Sequence, residues 1–294
     1  MRRYFLVFCF ISVLLGAASG QNLQKMNVWQ DSLLHLGNQM FSNNLAEAER
    51  LESNFKFVKA LVSALQEPNA FFYKFDRLEM ISILDSPHED FRIFSWNIPL
   101  QDGSYLYYGA IQHKMAGGKL KLTPLLDKTF EIVNAERDIT TNEMWYGAQY
   151  YDIVALSRDT YALLGWKGHH PEYTHKVIEI LRIAKDGTVH LGVPLFSDDP
   201  SIVRKVFAYS RTSSMFLQHN PAFHRIEFDH IIPISPEYEG NFKYYGSDLT
   251  HDAYEVGDGR LIYRENIDLS NPVVGDEEQY IDPLRPNTKM RSGL

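Results

Sequence analysis

The chain has 294 residues, 45% of them hydrophobic and 22% charged, with 37 acidic against 29 basic side chains. That composition excludes a disordered chain, and the net charge of −8 argues against a nucleic-acid partner, which needs a basic footprint. The length suits one large domain, or one domain with a smaller appendage.

Residues 1–20 have the form of a secretory signal. Arg2 and Arg3 supply the positive start, residues 5–15 the apolar run, and Ala18, Ser19 and Gly20 the small residues before cleavage at Gln21. The apolar run is too short to span a bilayer, and no transmembrane segment is expected in the mature chain. Losing the two arginines leaves 27 basic against 37 acidic residues, a formal charge of −10. The single cysteine, Cys9, lies inside this segment, so the mature protein is expected to carry no disulfide, thiol nucleophile or cysteine metal ligand. Export without cysteine points to a bacterium, with the protein in the periplasm or at the cell surface.

Residues 21–70 read as a helical segment. Met26, Trp29, Leu33 and Leu36 fall at helical spacing until Gly37 breaks the pattern. Asn44 with Glu47 forms a capping pair, and Ala48, Leu51, Phe55, Val58, Val62 and Leu65 follow at intervals of 3, 4, 3, 4 and 3 until Pro68 stops them. Such a seam lays a helix on its own domain or docks it to a partner.

Residues 71–268 read as a β-rich domain. The stretch ISILDSPHEDFRIFSWNIPLQDGSYLYYGAI, 81–111, alternates Ile-, Phe-, Trp- and Tyr-rich runs with turns at Asp85-Ser86-Pro87 and Asp102-Gly103. YDIVALSRDTYALLGW, 151–166, repeats its outline. Asp186-Gly187 and Asp258-Gly259 mark two further hairpins, which makes the sheet largely antiparallel. The phrases Tyr107-Tyr108-Gly109, Trp145-Tyr146-Gly147 and Tyr244-Tyr245-Gly246 set one aromatic of each pair toward the core and the other to the opposite face. The fold class is therefore mainly β, built of antiparallel hairpins in a propeller-like or sandwich-like form, with an α-helical N-terminal segment. Residues 269–294 form a polar tail.

Recognisable catalytic chemistry is sparse. HExxH, GxSxG, a phosphate-cradling glycine loop and EF-hand spacing are all missing, and no cofactor is expected. In GHHPEYTH, His169, His170 and His175 are the metal candidates, with Glu172 or Asp159 to complete a site; the competing reading is a solvated loop. In FHRIEFDHIIPI the period sets His224, Ile226, Phe228 and His230 on a core face, and Arg225, Glu227 and Asp229 on an exposed one. His230 is then a buried structural histidine or a general base oriented by a carboxylate. His170, His175 and His230 are the catalytic candidates. Asp198 with Asp199, or Asp248 with Asp252, suits glycosidic cleavage only if folding brings two carboxyls together across a sugar.

The phrases ISILDSPHEDFRIFSW, then MWYGAQYYDIVAL with YALLGW, then RIEFDHIIPISPEYEGNFKYYGSD resemble a family of uncharacterised exported bacterial envelope proteins, over about residues 70–268. The resemblance implies an envelope location and one extended β-rich unit, and brings no activity with it. The function expected is a non-enzymatic accessory component that binds an envelope protein or a glycan; the alternative is a secreted hydrolase acting on glycans or peptides.

Overall fold

The computed structural model describes residues 22–115 and 119–269. The expected signal segment with Cys9, and the expected polar tail from residue 270 onward, lie outside the described residues. Two helices come first: α1 over residues 22–40 and α2 (Glu47–Leu65). No helix among the described residues is long and apolar enough to cross a membrane.

Three antiparallel sheets follow. Sheet I takes β1 (Ser82–Asp85), β2 (Phe91–Pro99), β3 (Tyr105–His113) and β4 (Lys121–Leu126) in sequence order, as three successive hairpins. Sheet II holds β5 (Thr140–Thr141), β6 (Gln149–Ala155), β7 (Thr160–Gly168), β8 (Tyr173–Ile183), β9 (Val189–Leu191) and β10 (Arg204–Ser210). Sheet III takes β11 (Leu217–Asn220), β12 (Arg225–Pro233), β13 (Tyr245–Gly257) and β14 (Arg260–Arg264), again in sequence order. β8 pairs with β7 along one edge; its other edge is shared by β10, over Tyr173 to Glu179, and by β9, over Leu181 to Ile183.

These elements stack as four layers: helices, sheet I, sheet II, sheet III. The period of two explains why the inner strands are apolar on both faces. Along β2, Phe94, Trp96 and Ile98 pack under the helices while Phe91 and Ile93 face sheet II. Along β7, Tyr161 and Leu163 face sheet I, and Ala162 and Leu164 face sheet III. The architecture is thus mainly β and sandwich-like. The aromatic pair Tyr107-Tyr108 divides as its spacing predicts, Tyr107 toward sheet II and Tyr108 toward the helices, where it stacks on Trp96. Gly109 beside it is needed for close approach, since a Cβ there would lie 3.0 Å from the Phe94 carbonyl oxygen and 3.1 Å from the Trp145 ring.

Several helical details differ from the sequence reading. α1 continues through Gly37 to residue 40, because Gly37 lies against Met80, whose sulfur would sit 3.1 Å from a Cβ. The N-cap of α2 is Ala46, whose N–H donates to Glu49 Oε2 at 2.9 Å, so the Asn44 and Glu47 pair gives way to this half capping box. The buried face of α2 is Asn54, Phe57, Leu61, Ala64 and Leu65, rotated from the expected seam, and Phe55 is 58% exposed. Asn54 supplies the reason: its amide oxygen accepts from Trp96 Nε1 at 2.8 Å, which turns the helix toward the tryptophan. Arg92 ties the following segment to β2, donating to the carbonyls of Tyr73 and Ala70 at 2.6 and 2.8 Å.

The charged trio of β12 also differs. Glu227 and Asp229 are buried because neighbouring strands close over them: Asn220 on β11 donates to Glu227 at 3.0 Å, and His251 on β13 meets Asp229 at 3.1 Å. His224 lies in the turn before the strand with φ +49°, and the register shifts between Asp229 and Ile231, which leaves His230 exposed rather than buried.

Between sheets I and II lies a fully buried ion pair, Arg204 Nε to Glu179 Oε2 at 2.6 Å, on paired positions of β10 and β8. Arg204 also donates to Ala135 O and to Thr140 Oγ1. Removing one partner strands a buried charge, so Arg204→Met is expected to cost about 3–5 kcal/mol in urea denaturation. The double variant Arg204→Met, Glu179→Leu should be more stable than either single one; a double variant as unstable as the sum would contradict this view of the pair.

Candidate functional site

Four loops meet at one end of the sheets: β2–β3, β7–β8, β10–β11 and β12–β13. Their joining follows from small residues and one arginine. Gly168 closes β7 under the Tyr105 ring, where a Cβ would lie 2.2 Å from ring carbon, and Gly103, at φ +84°, turns against Pro171. Arg211, the residue after β10, donates to the carbonyls of Gly103 and His170 at 3.3 and 3.4 Å and to the Tyr105 hydroxyl. Its own N–H donates to Glu172 O at 3.1 Å.

Across this end runs a belt of rings. Tyr238 and Tyr244 lie 4.2 Å apart, Phe242 and Tyr245 5.1 Å, Phe242 and Tyr173 5.6 Å, and His170 stacks on Tyr173 at 4.5 Å and 17°. Tyr105 meets the edge of Trp166 at 5.3 Å with the Arg211 guanidinium over its ring. Phe242 is 36% exposed and the tyrosines are half-buried. Lys243 and Glu172 form an exposed ion pair at 3.3 Å beside the belt. Rings with polar tips, flanked by fixed charges, offer stacking faces and hydrogen-bonding rims together.

Below the belt the chain is polar and closed to water. His175 is buried, with Nδ1 3.0 Å from the Tyr146 hydroxyl, and His169 stacks on it at 4.6 Å and 19°. Lys167, directly opposite His175 in the β7–β8 register, donates to Tyr146 O, Gly147 O and Thr129 Oγ1 at 2.6 to 2.8 Å. Burial pushes its ammonium down to about 7, with nearby Arg204 acting in the same direction and Asp127 opposing. Burial, then Lys167, pushes His169 down to about 4; burial, then His169 and Lys167, holds His175 well below its ordinary range.

The sequence-derived candidates separate accordingly. His169 and His175 lie face to face, while the His170 ring is turned onto Tyr173 and its Nδ1 accepts from the Glu172 N–H at 3.2 Å. Asp159 sits in the turn before β7, at the far end of a nine-residue strand and thus roughly 30 Å away. Among the described residues no group of three or more His, Cys, Asp or Glu is placed to hold a metal ion. His230 meets Asp248 at 3.1 Å on the exposed face of sheet III. The carboxylates of Asp198, Asp199, Asp248 and Asp252 each accept from neighbouring hydroxyls: Tyr254, Ser201, Thr250 and Tyr263 respectively.

Sequence reasoning missed Tyr105, Arg211, Phe242 and Lys243 as members of one surface. The ring-rich run NFKYYG, next to Gly240, was the available signal; its convergence with residues 105 and 211 depends on the sheet order. No family model, curated protein or solved structure matches this chain.

The depressed histidines give the fold a pH dependence. Because His169 and His175 bind protons less readily when folded than the ordinary 6.5, the unfolded chain takes up protons first as pH falls. Their stabilising share is complete above about 6.5 and is lost as pH falls, for His169 toward about 4, at about 1.4 kcal/mol per pH unit for each group. The melting temperature is expected to drop between pH 6.5 and 4.5, and His175→Asn should lessen that slope. An unchanged slope would remove His175 as its source.

Proposed function

We propose that this chain is an exported component of a bacterial envelope that binds a glycan, without turning it over, on the aromatic end built by Tyr105, Trp166, His170, Tyr173, Phe242 and Tyr245. The observation that carries the reading is the half-exposed belt of rings held by four loops and fringed by Arg211, Lys243 and Glu172. A sugar ring presents C–H faces that lie on aromatic rings and hydroxyls that reach charged and amide groups at the rim. Held loops reduce the ordering cost of binding. The export signal in the sequence supports the envelope location.

A hydrolase acting on glycans or peptides would draw on His230, oriented by Asp248. Among the described residues no hydroxyl hydrogen-bonds its other ring nitrogen, so the arrangement lacks a positioned nucleophile.

Titration of the protein with a panel of bacterial surface glycans is expected to yield binding that weakens about tenfold, equivalent to ~1.4 kcal/mol, in Phe242→Ala and in Tyr173→Ala. His230→Ala should bind like the parent. Binding to no glycan, with capture of a stoichiometric protein from envelope extract, would replace the reading. Turnover abolished by His230→Ala would favour the hydrolase.

A further inference from the structure

At the opposite end of the same strands lies a second cleft of about 410 Å³. Its walls come from the start of β2 and the end of β3 in sheet I, and from the β6–β7 and β8–β9 turns in sheet II. Four cations from four separate segments line it: Lys114 after β3, Lys121 opening β4, Arg158 in the β6–β7 turn and Lys185 in the β8–β9 turn.

Carboxylates outnumber cations in the chain, and about half of the described lysines and arginines outside the cleft have an acidic partner, among them Lys25 with Glu67, Lys74 with Asp85, Lys243 with Glu172 and Arg264 with Glu255. Among the described residues, Lys114, Lys121 and Lys185 pair with no carboxylate. Lys114 lies over the Phe71 and Phe72 rings, and Lys121 reaches only the Asp186 carbonyl oxygen at 3.5 Å. Gly187 makes room for that ammonium, since a Cβ there would lie 2.0 Å from Lys121 Nζ.

Both carboxylates in the cleft are already engaged. Asp90 accepts from Ser86 at 2.8 Å and faces Arg158 at 3.8 Å; Asp159 accepts from Ser157 and Thr160 at 3.0 and 2.9 Å. The floor is rigid and apolar, with Phe91 and Tyr161 edge to face at 5.0 Å and both buried. A concave site with a firm floor and three lysines without acidic partners at its rim suits an anion, and its volume lies within the common range for small-molecule sites.

We propose that this cleft binds an anionic saccharide of one or two rings, its phosphate or carboxylate held by Lys114, Lys121, Arg158 and Lys185. The site is independent of the glycan-binding reading of the other end, so either can fail alone.

The test is calorimetric titration of the full chain with glucose 6-phosphate, glucuronate and neutral glucose. Both anions, or one of them, should bind and glucose should not, and the stronger anion identifies the group recognised. Affinity should fall severalfold between low and moderate salt, as expected for charges screened over about 10 Å at 0.1 M. Lys121→Glu with Lys185→Glu should weaken binding at least tenfold, while Lys56→Glu, a charge reversal on the exposed side of α2, should not. Lys121→Gln with Lys185→Gln serves if the reversal fails to fold, and should also weaken binding. Failure of both anions to bind at low salt, or binding that survives both double variants, would overturn the proposal.

Discussion

At the centre of the molecule a carboxylate and a guanidinium, Glu179 and Arg204, meet at 2.6 Å with both side chains fully buried. The pair joins β8 to β10, and β8 is the one strand that also holds β7 and β9. The two charges are bonded to each other, with Glu179 Oε1 left as a buried oxygen without a partner, and Arg204 reaches on to the 135–140 segment that leads into β5. The polarity of the sheet I and II interface follows from this arrangement. Lys167, Tyr146, Tyr150 and His175 share it, whereas the interface between sheets II and III is closed by Ile178, Ile180, Phe207, Ile226 and Phe228. One side of sheet II thus adds directional bonds to the apolar packing of Phe91, Ile93, Leu163 and Leu181, and the other is closed by non-directional burial.

The same strands set out both surfaces. β7 and β8 run the length of sheet II, and their two ends place loops with different chemistry roughly 30 Å apart. At one end Gly168, Gly103 and Arg211 gather aromatic rings; at the other, turns at Asp159 and Gly187 gather unpaired lysines. Rigidity at the centre is what lets either end hold side chains from loops far apart in sequence. The column of Lys167, His175 and Tyr146 directly beneath the aromatic end links that surface to the ionic centre.

The hairpins were legible in the sequence because their signals are local. Asp102-Gly103, Asp186-Gly187 and Asp258-Gly259 each sit between consecutive antiparallel strands, with Asp258 and Gly259 both at positive φ. The period of two showed that the strands pack, yet it could not show that Glu227 and Asp229 are covered, since their partners Asn220 and His251 come from neighbouring strands. Gly37 read as a stop because a helix glycine usually ends the element; here the approach of Met80, 43 residues later, outweighs the local preference. The histidine loop was recognised as unusual, while its role as one wall of an aromatic belt depends on Phe242 and Arg211, which only the sheet order brings to it.

The claim that this end of the molecule is a glycan-binding surface is tested most directly by hydrogen–deuterium exchange with and without a saturating surface glycan. Slower exchange confined to residues 168–173 and 236–245, with the 184–188 turn unaffected by a neutral saccharide, is the result this account predicts. Protection elsewhere on the chain, or none at saturation, would contradict it.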